Sequence, residues 1–149
     1  MTNANSQDLS LINPDLHWAF KYIGMPWISG HQGPTSFDCW GFFRHIQKEH
    51  FGLDVPFIDA NADNFRDVAR NFVNSEERDK WYPVVMPKEG DAVLMAHCKY
   101  PSHVGIWLDV DRGGVLHCVR GEGVVFGSYA SLKNSGWGKV EYYRHASNT

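Results

Sequence analysis

The apolar residues change their spacing about halfway along the chain, from a helical period to short runs cut by glycine and aspartate. Residues before about Ser10 are polar and aperiodic, and segment 1–12 reads as a loose N-terminal arm. Asn13-Pro14 supplies an N-cap followed by proline at the first helical position. Leu16, Ala19, Phe20 and Ile23 follow at helical spacing, and Gly24 suits the stop. Segment 25–36 is rich in Gly, Pro and Ser and reads as a loop. A second helix is expected to open at Asp38 and end at Gly52, with Phe42, Phe43 and Ile46 on one face and Cys39 in its first turn. A third fits 61–73, where Phe65, Val68, Ala69 and Phe72 form an apolar stripe.

After Pro83 the pattern becomes stranded. Gly90-Asp91 marks a turn before a strand at 92–95. Further strands are expected at 103–108, 115–119, 124–126 and 139–143, separated by Asp111-Arg112-Gly113-Gly114 and by Gly121 to Gly123. Short strands divided by Gly/Asp turns predict an antiparallel meander. Helices followed by strands predict an α+β fold, with N-terminal helices packed on the sheet. No repeat or linker divides the chain, so 13–149 is expected to form one domain.

Composition narrows the function. Apolar residues make up 43 % of the 149, enough for a core without staples. The formal net charge is −3 and no Lys/Arg run stands out, which gives no support for nucleic-acid binding. No stretch is long and apolar enough to span a membrane, and the N-terminus has neither a basic start nor an apolar signal core. Synthesis in the cytoplasm is therefore expected. Three cysteines without a CxxC argue against a disulfide framework and leave at least one free thiol.

Cys39 lies in Phe37-Asp38-Cys39-Trp40-Gly41. Capping by Asp38 would put it at the positive end of a helix, where free amides and the dipole favour a thiolate and can hold an oxyanion. A buried structural cysteine is the competing reading. Gly41 would allow close approach of substrate or of another chain segment. A thiol nucleophile needs an imidazole to take its proton. Strand alternation sets His103, Gly105 and Trp107 on one face, with Val104, Ile106 and Leu108 on the core face. His117, among Val115 and Val119 in the next strand, needs a polar partner; if the strands pair, it can meet His103 and orient its ring. The alternatives are a core histidine at 117 and an exposed strand end at 103. His31, in the loop before Cys39, is a candidate for lining the groove; His17, His45, His50 and His145 read as surface residues. His97-Cys98 and His117-Cys118 have zinc-type side chains. Neighbours in a strand face opposite ways, however, so no metal is expected, and Cys98 and Cys118 read as small buried residues.

Four blocks in order resemble the NlpC/P60 family of cell-wall cysteine peptidases. They are Gly24-Met25-Pro26-Trp27 with Phe37-Asp38-Cys39-Trp40-Gly41-Phe42 and Leu53-Asp54-Val55-Pro56; Lys88-Glu89-Gly90-Asp91-Ala92-Val93; His103-Val104-Gly105-Ile106-Trp107-Leu108; and Leu116-His117-Cys118 with Gly123-Val124. The resemblance covers about residues 16 to 145. It implies a papain-like α+β fold with Cys39 as nucleophile, His103 as base and His117 orienting His103. It further implies hydrolysis of a peptide bond in the peptidoglycan stem, without a cofactor. Trp27, His31, Asp38, Trp40 and Ser102 are the expected substrate contacts. The chain departs from the family pattern at Trp40, where serine is common, at Trp27, near a common tyrosine, and at Gly30-His31, near a common Gly-Gly pair. The Asp-Cys-Trp-Gly version is similar to a branch found in phage tail proteins, which implies other tail proteins as partners and a virion tail acting at the bacterial wall. A catalytically silent phage-tail structural or wall-binding module with the same fold is the alternative.

Overall fold

The computed structural model describes residues 17–58, 76–97 and 101–148. A 3-10 helix, Trp18–Tyr22, precedes helix α1, Cys39–Phe51, and a second 3-10 helix, Glu76–Lys80. Strands β1 (Trp81–Val84), β2 (Ala92–Ala96), β3 (His103–Leu108), β4 (Gly114–Val119) and β5 (Gly123–Ser128) follow, then a short helix α2 (Tyr129–Asn134) and strand β6 (Lys139–His145). The strands form one antiparallel sheet in the order β1-β6-β2-β3-β4-β5. Strands β2 to β5 are the expected meander, and β6 returns to lie between β1 and β2. The fold class is α+β, as the sequence predicts.

Helix α1 forms where its signals stand. Asp38 is the N-cap, with extended backbone, and its carboxylate accepts from the Gly41 N–H. Gly52 closes the helix in the left-handed region at φ 68°, where a Cβ would be strained. Lys48 and His50 lie in the last turn, beside the negative end of the dipole. The buried face carries Phe42, Phe43 and Ile46 onto β3 and β4. There they pack with Val104, Ile106, Leu108, Leu116, Cys118 and Val124.

The N-terminal half and the sheet edge differ from expectation where they are described. Among the described residues the first helix is only the 3-10 turn Trp18–Tyr22, capped by the His17 ring, whose Nδ1 accepts from Ala19 N–H at 3.1 Å. The helix expected at 61–73 lies outside the described residues, as does Cys98. Strand β1 is not marked in the sequence because it contains Pro83; among the described residues it is an edge strand paired only with β6, where a residue lacking an N–H is tolerated.

The sheet is also covered on its second face. Val93, Met95, Trp107, Val115 and Leu132 form a smaller core there, flanked by Trp137, Val140 and Tyr142. All six residues of β3 are therefore buried, and the face carrying His103 is not the sheet's exposed side. Likewise His45 and His50 are not plain surface residues. His50 stacks on Trp18 at 3.7 Å between centroids and hydrogen-bonds the Tyr22 hydroxyl at 2.8 Å, while His45 packs on Tyr22 and Phe37.

Asp91 ties three adjacent strands of the sheet together. Its side chain is fully buried, its carboxylate accepts from Arg144 Nη2 at 2.8 Å and from Lys88 N–H at 2.8 Å, and its carbonyl accepts from Trp107 N–H. This joins the start of β2 to β6 and to β3, the strand that carries His103.

Candidate active site

The loop before α1 is folded back onto the helix's first turn. Phe37 N–H donates to the Pro26 carbonyl, Ile28 N–H to that of Phe37, and Asp38 N–H to that of His31. The two Asp38 oxygens are both used: Oδ1 accepts from Gly41 N–H at 2.6 Å and Oδ2 from Gly30 N–H at 3.1 Å. A side chain at Gly41 would collide with the His31 carbonyl, so the glycine admits a chain segment, the second of the two approaches its sequence allowed. Further along, Gly24 N–H donates to the Val124 carbonyl and Val124 N–H to that of Met25, which docks the loop on β5.

Cys39 begins α1, as expected, but its ionisation runs opposite to the expectation. It is 8 % exposed, and burial pushes the thiol up to about 12, with the Asp38 carboxylate adding to the rise. Backbone N–H groups of Trp40 and Cys39 pull the other way and lose. The physical reason is burial first and the cap second. Desolvation opposes any buried charge, and the N-cap carboxylate already holds the position from which the amides would have favoured a thiolate. Asp38 is itself pushed up by burial, against the bonds from Gly41 and Gly30.

The histidines come together as the strand register dictates. Ile106 pairs with Leu116 and Trp107 with Val115, which sets His117 opposite Gly105 and one diagonal step from His103. Because position 105 has no side chain, the His117 ring can lean across it; a Cβ there would collide with Val115 and lie 3.1 Å from His117 Cβ. His103 Nε2 and His117 Nδ1 are 2.8 Å apart, with the rings inclined at 63°. Both residues are buried. Burial, then His117 and His97, hold His103 well below the ordinary imidazole value; burial alone takes His117 down to about 4. Both rings are neutral at pH 7, so one donates and the other accepts. Among the described residues no hydrogen bond links the Cys39 thiol to either ring. His117 also borders a cleft of about 550 Å³, shared with Glu122, Ser131, Ser135 and Trp137.

The expected substrate contacts divide. Trp40 is buried, stacks on Phe43 at 5.3 Å and donates from Nε1 to the Pro56 carbonyl, so it is a core residue and not a wall of the groove. Asp38, 3 % exposed with both oxygens engaged, caps the helix and has no face left for substrate. His31 is exposed, its Nδ1 2.7 Å from Ser36 Oγ; Trp27 is half-buried under the Arg120 guanidinium, 4.9 Å from its ring; Ser102 is half-buried beside His103. Cys118 faces α1, its thiol donating to the Phe37 carbonyl at 3.4 Å, while His117 faces the other side of the sheet. Adjacent strand positions thus keep that His-Cys pair from sharing a metal.

An α+β domain with a cysteine opening its central helix and a hydrogen-bonded histidine pair on its sheet defines the structural class. The NlpC/P60 family model matches residues 24–145, and the chain belongs to the NlpC/P60 family. Among curated proteins it is 31 % identical over 111 residues to Protein P54 of Enterococcus faecium, covering 74 % of this chain and 19 % of that protein. It is 29 % identical over 121 residues to the probable endopeptidase p60 of Listeria innocua, covering 81 % and 22 % respectively. The chain thus spans about a fifth of the length of these relatives. In fold it is similar to the NlpC/p60 domain of the peptidoglycan hydrolase SagA, with a TM-score of 0.54 at 24 % identity over 95 % of this chain and 97 % of that one. It is also similar to NlpC2 from Trichomonas vaginalis, with a TM-score of 0.54 at 18 % identity, covering 98 % of this chain and 49 % of the other.

Proposed function

We propose that this domain is a cysteine endopeptidase that hydrolyses a peptide bond of the peptidoglycan stem peptide, with Cys39 as nucleophile, His103 as base and His117 orienting the base. The observation that carries the reading is the buried 2.8 Å contact between His103 and His117. A histidine pair inside an apolar strand face is costly to bury, and the register and Gly105 are arranged to make it. Family membership and relatives named as an endopeptidase and a peptidoglycan hydrolase support the substrate class.

In this reading the protons divide between the two rings. His117 occupies Nε2 of His103, and Nδ1 is the nitrogen that takes the thiol proton. A base at Nδ1 requires the proton on Nε2, so His103 donates to His117 Nδ1 and His117 carries its own proton on Nε2. Both reacting groups start neutral. The Sγ–H proton passes to His103 Nδ1 as sulfur adds to the carbonyl carbon. The tetrahedral oxyanion then collapses, the C–N bond breaks, and the leaving amine takes the proton from His103. Water, deprotonated by the same ring, hydrolyses the thioester and regenerates the thiol. Trp27, His31 and Ser102 are the candidates for holding the stem peptide.

The Asp38-Cys39-Trp40-Gly41 motif supports a finer reading, a domain carried on a phage tail alongside other tail proteins and delivered to the bacterial wall. Mass spectrometry of virions purified from the encoding lysogen tests it: peptides of this chain are expected in the tail fraction, and their absence from intact virions would count against it. One observation favours a second reading, a catalytically silent tail or wall-binding module. Cys39 is buried and its thiol is held neutral. Peptidoglycan fragments incubated with reduced, folded protein and analysed by mass spectrometry separate the two. Cleavage that disappears in Cys39→Ala supports the enzyme; binding without cleavage supports the module.

A further inference from the structure

The turn before β6 lays an indole against the proposed base. The Trp137 ring is nearly parallel to that of His103, inclined at 17° with centroids 5.2 Å apart. It is also nearly parallel to that of His97, inclined at 13° with centroids 4.0 Å apart. The turn is fixed from several directions. His97 Nδ1 donates to the Gly136 carbonyl at 2.9 Å, Trp137 N–H donates to that of Leu132 at 3.2 Å, and Gly136 N–H to that of Lys133 at 3.1 Å. The indole packs against the second core of Val93, Met95, Trp107, Val115 and Leu132. His97 is itself exposed, so its ring covers Trp137 from the solvent side of the molecule.

We propose that Trp137 is a positioning residue for His103, a proposal that rests on reading His103 as the base. An imidazole turns about two side-chain torsions, and the second is broad. The bond from Nε2 to His117 fixes one atom and leaves the ring free to pivot about that contact. A flat surface parallel to the ring removes the pivot, so Nε2 stays on His117 and Nδ1 keeps one direction. The groups facing His103 are His117 on β4, Met95 opposite it on β2, His97 after β2 and Trp137 before β6. The indole face attracts a cation, so the stack also favours the imidazolium that forms during turnover, against burial and the two neighbouring histidines.

The test compares wild type, Trp137→Phe and Trp137→Ala by nitrogen-15 spectra of the histidine rings and by steady-state cleavage of peptidoglycan fragments. In wild type between about pH 5 and 8, His103 is expected as one tautomer, protonated at Nε2. Trp137→Phe keeps that tautomer and most of the activity. Trp137→Ala shows both tautomers and loses about 10- to 100-fold in kcat, with KM little changed, as small misplacements of a reacting group do. Val140→Ala, a truncation in the same core, controls for loss of packing and leaves the tautomer as in wild type. A single unchanged His103 tautomer and an unchanged kcat in Trp137→Ala overturn the proposal, as does a phenylalanine that restores neither. The ring spectra judge the stack without reference to activity, whereas cleavage that survives His103→Ala overturns the base assignment itself.

Discussion

Ionisation of Cys39 is the property on which sequence and structure differ most, and it gives a quantitative test. Burial, then Asp38, push the thiol up to about 12. An ordinary cysteine titrates near 8.5, so the thiolate population at pH 7 falls by roughly 3.5 decades, to the order of 10⁻⁵. A more basic thiolate is a better nucleophile, with a Brønsted slope of about 0.4–0.5, which returns roughly 1.5 decades. Alkylation of Cys39 at pH 7 should therefore run about 10²-fold slower than that of an unstructured thiol. It should rise about tenfold per pH unit with no plateau up to about pH 10. Asp38→Asn separates the causes, because it removes the charge beside sulfur and keeps an oxygen to accept from Gly41. Alkylation should accelerate in that variant. Iodoacetamide labelling quantified by peptide mapping distinguishes Cys39 from Cys98 and Cys118. A rate that plateaus below about pH 8.5 in wild type would show that the helix N-terminus outweighs burial. An Asp38→Asn rate equal to wild type would show that the carboxylate does not act on the sulfur.

Other features give sharper consequences for stability and activity. Asp91→Ala removes the buried acceptor of Arg144 and of Lys88 N–H and should cost about 1–3 kcal/mol in urea unfolding; a loss under about 0.5 kcal/mol would contradict the role given to the pair. Gly105→Ala puts a methyl against Val115 and beneath His117, so it should cost about 1–3 kcal/mol and abolish the single His103 tautomer in ring spectra. His117→Ala leaves His103 Nε2 without its acceptor and should lower cleavage, yet less than Cys39→Ala or His103→Ala, because base and nucleophile act as a unit; equal activity in all three would refute the division of roles. Acid should destabilise the fold. His117, held down to about 4 by burial, refuses a proton that the unfolded chain accepts near the ordinary 6.5. Stability is thus fully present above that value and lost as pH falls toward about 4, by roughly 3 kcal/mol from this group. His103 adds in the same direction, since its value is also lowered. A urea midpoint that stays constant between about pH 7 and 4.5 would contradict the burial of the histidine pair.

Much of this site was legible because local chemistry and tertiary structure agree. The Asp38 cap, the Gly52 stop and the β2-to-β5 meander stand where the spacing predicts them. The His103–His117 meeting follows from strand pairing once Gly105 is seen as the open position between them. What the sequence hid depends on contacts distant along the chain. Strand β1 carries a proline that disguises an edge strand. The second core exists because α2 and the turn before β6 cover a sheet face that alternation alone leaves uncommitted. Trp40 carries a local signal of its place in the core. It stands three residues before Phe43, a helical neighbour, and the two rings stack in the core. Trp137 had only its place between two glycines to mark it, and nothing local points to His103. The thiol's shift runs against its place at the helix start because burial, which only the packed fold reveals, opposes the thiolate first, and the capping aspartate adds a negative charge beside the sulfur.

The central claim is tested most directly by giving peptidoglycan fragments to reduced wild-type protein and to Cys39→Ala, with circular dichroism confirming that both are folded, and identifying products by mass spectrometry. The account predicts new fragments from wild type that correspond to water added across one stem-peptide bond, and none from Cys39→Ala. Intact fragments with folded wild-type protein, or the same products from Cys39→Ala, would contradict it.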